Sequence, residues 1–259
     1  MASRTYRAEA IVLRTVDLGE ADRILVLFTR HFGKVHVVAK GIRRTTSRMA
    51  GHAEPLTHAT YQLARGRELD VLTGAETRAV YPALREDLDR IAAGWYCAEL
   101  TDRFTIEHAP AAPLFDLLET ALRHLDAGNP AGLVMRWFDL HLLDRSGFRP
   151  ELAACVSCRN PLEERENAWN ATLGGAMCDS CARRTSTGFI LTVRALKSLR
   201  FLLVSDFANA SLLRVDPALA GELERHMRLF VQHVIDRDLT ASRLIDDIRS
   251  LPARPAHAS

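Results

Sequence analysis

The chain has 259 residues, 47% of them hydrophobic and 25% charged, with a formal net charge of +2; such a composition suits a globular protein with room for one large or two modest cores. No apolar run approaches the roughly 18 residues of a membrane-spanning helix, and the opening MASRTYRAEA carries no hydrophobic leader after its charges. A two-domain cytoplasmic protein is expected, with no membrane among its partners.

The first 80 residues read as short strands. AEAIVLR (Ala8–Arg14), RILVLFT (Arg23–Thr29), KVHVVAK (Lys34–Lys40), THATYQLA (Thr57–Ala64) and ELDVLTGAE (Glu68–Glu76) are rich in β-branched and apolar residues and separated by Gly, Pro or polar clusters. Five strands in this length suggest a small barrel of the OB type, with an SH3-like barrel or a small sandwich as alternatives, because strand number does not fix topology. Tyr81-Pro82 ends the region.

The near-neutral total hides an uneven distribution. Residues 1–80 hold 13 Lys+Arg against 8 Asp+Glu, and from Arg23 to Ala53 seven basic residues occur without one acid. AKGIRRTTSR (Ala39–Arg48), at the exit of the third strand, sets Lys40, Arg43, Arg44 and Arg48 beside Gly41, Thr45, Thr46 and Ser47. Charged forks, hydroxyl donors and N–H groups bared by glycine suit phosphate oxygens. Arg65 and Arg67, in the predicted hairpin between the fourth and fifth strands, extend the field. A solvated arginine-rich loop is the bland alternative. Phe28, Phe32 and Tyr61 are candidates for stacking on bases, with Phe28 expected in the core and Tyr61 undecided.

From residue 81 the pattern changes to helical spacing, in Leu84–His108, Pro113–Gly128, Pro130–Gly147, Leu191–Phe207 and Pro217–Asp238. Pro113 and Pro130 fit first-turn positions, and Gly128 and Gly147 fit left-handed caps. The domains are expected at 1–80 (barrel), 81–150 and 188–249 (helical), and 151–187 (a cysteine-rich insert). Residues 250–259 lack apolar content and are expected to be a disordered tail.

The insert holds four of the five cysteines. Cys155-x2-Cys158 and Cys178-x2-Cys181, separated by nineteen residues, have zinc-ribbon spacing. Four thiolates close a tetrahedral shell, so a structural Zn²⁺ is expected, with Gly174 and Gly175 turning the hairpin between the knuckles. Two disulfides, four unrelated thiols or an iron site use the same residues. The polar insert is expected to bury little apolar area and hence to depend on its metal. Cys97 sits in an apolar helical pattern and is expected in the core.

No P-loop, H-E-x-x-H, G-x-S-x-G or nucleotidyl-transfer K-x-D-G spacing occurs. The ten histidines are scattered, and Asp246-Asp247 fits a solvated helix face. The chain reads as a non-enzyme.

AIVLRTVDLGEADRILVLFTRHFGKVHVVAKGIRR, the later LARGRELDVLTGAE and the paired C-x2-C segment together resemble the RecO family of bacterial recombination mediators. The likeness runs to about Asp247. The AKG-x-RR and GRELDVLT patches are fairly specific, the cysteines less so, since some members lack them. The resemblance implies an α+β multidomain fold: an N-terminal OB-fold, an all-α domain and an inserted four-cysteine zinc ribbon. It also implies binding of single- and double-stranded DNA, annealing of complementary strands and a cytoplasmic, nucleoid-associated location. With a RecR-type partner, it implies loading of RecA onto strands coated by single-stranded-DNA-binding protein, whose acidic tail the helical domain contacts. Lys34, Lys40, Arg43 and Arg44 match the family's basic DNA-contacting region. The residues alone also admit an RNA-binding OB-fold protein with a zinc ribbon.

Overall fold

The computed structural model describes residues 4–236 and 239–250. Five strands, β1 (Thr5–Leu18), β2 (Asp22–Thr29), β3 (Gly33–Ala39), β4 (His58–Ala64) and β5 (Asp70–Ala79), close into a barrel in the order β1-β2-β3-β5-β4. β1 is long enough to pair with β4 through its first half and β2 through its second. The closing contact between β3 and β5 is parallel, with Val37 opposite Asp70. Closure makes this the OB-like barrel expected, leaves no open sheet edge, and rules out the sandwich.

Alternation along the strands explains their unbroken apolar runs. On β1 and β2, Ala10, Val12, Leu25 and Leu27 fill the barrel interior. The residues between them, Ile11, Leu13, Val26 and Phe28, face outward yet are equally buried, because they join the core of the helical domain. Period-two patterning disappears when both faces of a strand are covered. Tyr61 is fully buried in the barrel and donates its hydroxyl to the His52 carbonyl at 2.7 Å. With Phe28, it is removed from the stacking candidates.

The helices are α1 (Pro82–Glu86), α2 (Leu88–Phe104), α3 (Ala112–Asp126), α4 (Ala131–Arg145), α5 (Asp179–Thr185), α6 (Val193–Val204), α7 (Phe207–Ala210), α8 (Pro217–Ile235) and α9 (Thr240–Ser250), of which α5 belongs to the cysteine-rich insert and the others to the helical domain. Asp87 caps α2 by accepting from the Asp89 and Arg90 N–H groups, and Asp216 caps α8 through Leu219. Pro113 lies in the first turn of α3, but Pro130 is the residue before α4 rather than within it. Gly128 and Gly147 take the left-handed conformation expected of them. Cys97 is buried on α2.

α9 lies beyond Asp238, where the last of the expected periodic segments ends, within the stretch expected to be helical. It docks on α2, where the Glu99 carboxylate accepts from the N–H groups of Thr240 and Ala241 at 3.0 and 2.7 Å. Asp246 on its outer face is held by Arg228 at 2.9 and 2.6 Å, so it is a solvated ion pair as expected. Of the expected disordered tail, 251–259 lie outside the described residues, and Ser250 ends α9.

Candidate metal centre and nucleic-acid interface

Between α4 and α6 the insert forms a three-stranded sheet of β6 (Asn167–Asn170), β7 (Gly175–Met177) and β8 (Phe189–Leu191), in the order β7-β6-β8. Gly174 and Gly175 turn the β6–β7 hairpin with φ of 92° and 152°. A Cβ on Gly175 would lie 2.2 Å from the Glu151 carbonyl oxygen, so only glycine lets the strand approach the first knuckle. Glu151 organises that approach. Its N–H donates to the Gly174 carbonyl and its carbonyl accepts from Ala176, while its carboxylate accepts from Ala153 and Ala154 at 2.7 and 3.0 Å.

This convergence brings the two knuckles together. The sulfurs of Cys155, Cys158, Cys178 and Cys181 all lie within 4.8 Å of one another, and Cys158 and Cys178 are 3.8 Å apart. A tetrahedral shell with bonds of about 2.3 Å separates its sulfurs by roughly 3.8 Å, whereas a disulfide needs about 2.05 Å. All four thiols are free. The geometry therefore fits a four-coordinate ion and discards the two-disulfide alternative.

The surrounding donors match that charge. The N–H groups of Ser157 and Cys178 point at the Cys155 sulfur at 3.4 and 3.3 Å, and Arg184 reaches the Cys181 sulfur at 2.9 Å. Burial pushes the Cys155 thiol up, but backbone N–H groups outweigh it and bring it down to about 6. At Cys158 the Asn160 N–H acts downward, and neighbouring sulfurs override it, lifting that thiol to about 11. Four thiolates at this spacing repel one another, so their joint ionisation calls for a cation. Those four side chains would hold it and leave no position for water or substrate.

One expectation about the insert is overturned. Trp169 on β6 is fully buried, 5.6 Å from the Phe230 ring in an edge contact, and Leu162, Ala176, Met177 and Leu191 join the same core as the helices. The polar composition of the loop concealed one large aromatic, and a single Trp can bury on the order of 200 Å².

The basic residues separate into three situations. Lys40, Arg44 and Arg48 are exposed in the loop after β3 and make no ion pair among the described residues. Arg43 is partly neutralised: its guanidinium lies 3.4 Å from Asp17 and donates to the Gly19 carbonyl at 3.1 Å. Lys34 is held inside. Its ammonium donates to both the backbone carbonyl and the carboxylate of Asp102 on α2, at 2.7 and 2.8 Å, with the two side chains only 12% and 14% exposed. That contact ties β3 to the helical domain and leaves Lys34 no free face for a phosphate.

The acid-free run of the sequence is not acid-free in space. Asp17 and Asp22, flanking the β1–β2 turn, and Glu54 face the loop; Arg23 pairs with Asp17 and Glu54. Gly41 is left-handed, and its N–H donates to Asp22 at 2.7 Å, while the Arg43 and Arg44 N–H groups bond to Ala21 and Gly41 carbonyls. The bared backbone donors anticipated for phosphate are thus used internally. Side-chain cations and the exposed Thr45 and Thr46 remain. The missed signal was the antiparallel hairpin, which returns Asp17 and Asp22 to the end of β3.

Arg65 and Arg67 form a separate group. They are exposed in the β4–β5 loop, but the parallel register at Val37 and Asp70 directs that loop away from Lys40 and toward the β2–β3 turn.

Comparison with known proteins agrees with both halves of this architecture. Residues 1–81 match the family model "Recombination protein O N terminal" and residues 85–243 match "Recombination protein O C terminal". The chain is 38% identical over its full length to the DNA repair protein RecO of Roseiflexus sp. strain RS-1, covering 91% of that protein. It is 37% identical to that of Heliobacterium modesticaldum, over 97% of this chain and 93% of the relative. For that of Dehalococcoides mccartyi strain BAV1 the identity is 34%, over 94% and 96%. An OB-like barrel fused to a helical domain, matched end to end by relatives of this kind, places the chain in the RecO family of DNA repair proteins.

Proposed function

We propose that the protein is a recombination mediator: it binds single- and double-stranded DNA and anneals complementary strands. With a RecR-type partner it promotes RecA loading onto single strands covered by single-stranded-DNA-binding protein, whose acidic tail the helical domain engages. The observation that carries the DNA part is the exposed trio Lys40, Arg44 and Arg48 on one loop of the barrel, without an ion pair among the described residues, with Arg43 contributing the part of its charge that Asp17 leaves. Neutralising two strands that repel one another is the physical content of annealing, and it needs no hydrolysis; the protein acts without being an enzyme, in the cytoplasm at the nucleoid. The metal is Zn²⁺ in a structural role, because an all-sulfur tetrahedral shell suits it and holds the insert in register.

Simultaneous Lys40→Ala, Arg44→Ala and Arg48→Ala substitution is expected to weaken single-strand and duplex binding alike and to reduce the slope of log affinity against log salt by about 2 to 3. Unchanged affinity and slope in fluorescence anisotropy would remove this site. Strand annealing, with and without single-stranded-DNA-binding protein, tests the remainder.

A further inference from the structure

The second basic group has aromatic neighbours that the first lacks. Tyr6, near the start of β1, and Phe32, in the β2–β3 turn, meet edge to face with centroids 4.9 Å apart, and the Arg65 guanidinium lies 5.0 Å over the Tyr6 ring. Phe32 is 36% exposed, and Arg4, at the entry to β1, and Arg67, in the same loop as Arg65, are exposed. Arg65 donates its N–H to the Arg4 carbonyl at 2.9 Å, which fastens that loop to the chain entering β1.

Tyr6 and the turn that carries Phe32 are held in place by the fold. The Tyr6 hydroxyl donates to Asp70, whose other oxygen accepts the Gly66 N–H at 3.1 Å. In the turn, Thr29 accepts from the Phe32 N–H at 2.9 Å and donates to the Gly33 carbonyl at 2.8 Å. Gly33 is left-handed, and a Cβ there would lie 2.4 Å from the Ala109 carbonyl oxygen, so the turn is seated against the loop following α2. An exposed phenyl ring held rigidly costs little entropy on binding.

We infer that Phe32, with Tyr6 behind it and Arg65 over Tyr6, is a stacking platform for unpaired nucleobases, distinct from the phosphate-gripping loop at Lys40–Arg48. Rings beside arginines serve unstacked bases with little regard to sequence, and paired bases inside a duplex cannot reach them. The field here is weaker than at Lys40, since Glu68 is exposed in the same loop and Asp70 lies beneath. Binding at this platform is therefore carried by stacking more than by charge. This rests on the DNA-binding reading above and adds to it a means of telling single strands from duplex: both forms engage the cationic loop, and only the single strand engages the platform.

The test measures anisotropy of labelled oligothymidylate and of a blunt duplex, each of about 20 units, at two salt concentrations with the full chain. Phe32→Ala is expected to weaken oligothymidylate binding roughly tenfold, to leave duplex binding unchanged, and to leave the salt slope of both intact. Phe32→Trp is expected to restore the affinity, and oligothymidylate is expected to quench the added indole emission. Equal losses on both substrates, no loss on the single strand, or an unquenched indole with full affinity would each overturn the platform. Absence of any binding by the unsubstituted chain would instead overturn the DNA-binding reading, and the platform with it.

Discussion

The barrel and the cysteine-rich insert are both small β-structures attached to one helical domain, yet they are stabilised in opposite ways. The barrel closes on itself and owns an interior: Leu25, Leu27, Val35, Val37 and Leu63 pack against one another and not against helices. The insert has strands of three or four residues, no interior of its own, and a single large aromatic that it lends to the helical core. A sheet that size is not stable alone. The insert therefore rests on two anchors, the four-cysteine cluster at its tip and Trp169 at its base, whereas the barrel has an interior of its own besides the outer face it shares with the helical core.

Removing the tip should have the largest effect. Cys178→Ser, or a strong chelator, is expected to release about one zinc per chain and to open the segment 151–187 to proteolysis, leaving barrel signals unaltered. Metal binding is worth on the order of 10 kcal/mol in isolated finger peptides; here the loss is expected to be smaller, because Trp169 remains buried. Elemental analysis and limited proteolysis check this. A metal-free preparation with an intact, protected insert would dissolve the two-anchor account.

Removing the base comes next. Trp169→Ala leaves a cavity against Phe230 and should cost about 3 to 5 kcal/mol in a denaturant titration, while zinc content stays near one per chain. A loss under about 1 kcal/mol would show that the ring is not an anchor.

How much of this the sequence disclosed follows the same division. The barrel was legible because its strands are long apolar runs with turn residues between them, and the four-cysteine cluster because C-x2-C spacing has few other uses. Trp169 was hidden in ENAWNATLGG, a polar, turn-rich stretch in which one buried ring leaves no periodic trace. α9 carries a helical signal of its own in Ala241, Leu244, Ile245 and Ile248, spaced i, i+3, i+4, i+7; what the sequence does not disclose is its seat on α2 through Glu99, more than a hundred residues earlier in the chain. The Lys34–Asp102 pair was hidden because a basic residue in a basic run looks solvated until its partner is known, and Asp102 lies on another element. Charge runs can be counted along the sequence, but neutralisation happens across it.

The smallest effect expected is also the one that separates the barrel's two kinds of lysine. Burial opposes ionisation of Asp102, yet hydrogen bonds from Lys34 and Arg14 outweigh it and hold the carboxyl below its ordinary value. A folded-state pKa below the unfolded one near 3.9 means the pair's contribution is present above that pH and is lost as pH falls through the depressed folded value. Lys34→Met is expected to cost about 1 to 3 kcal/mol at neutral pH, with the difference from the unsubstituted chain narrowing on acidification below about pH 4. Its duplex affinity and salt slope should match those of the unsubstituted chain, because the ammonium is already given to Asp102. A Lys34→Met protein that is fully stable but has lost DNA affinity would return Lys34 to the interface and leave the barrel's attachment to α2 to Arg14 and the apolar contacts.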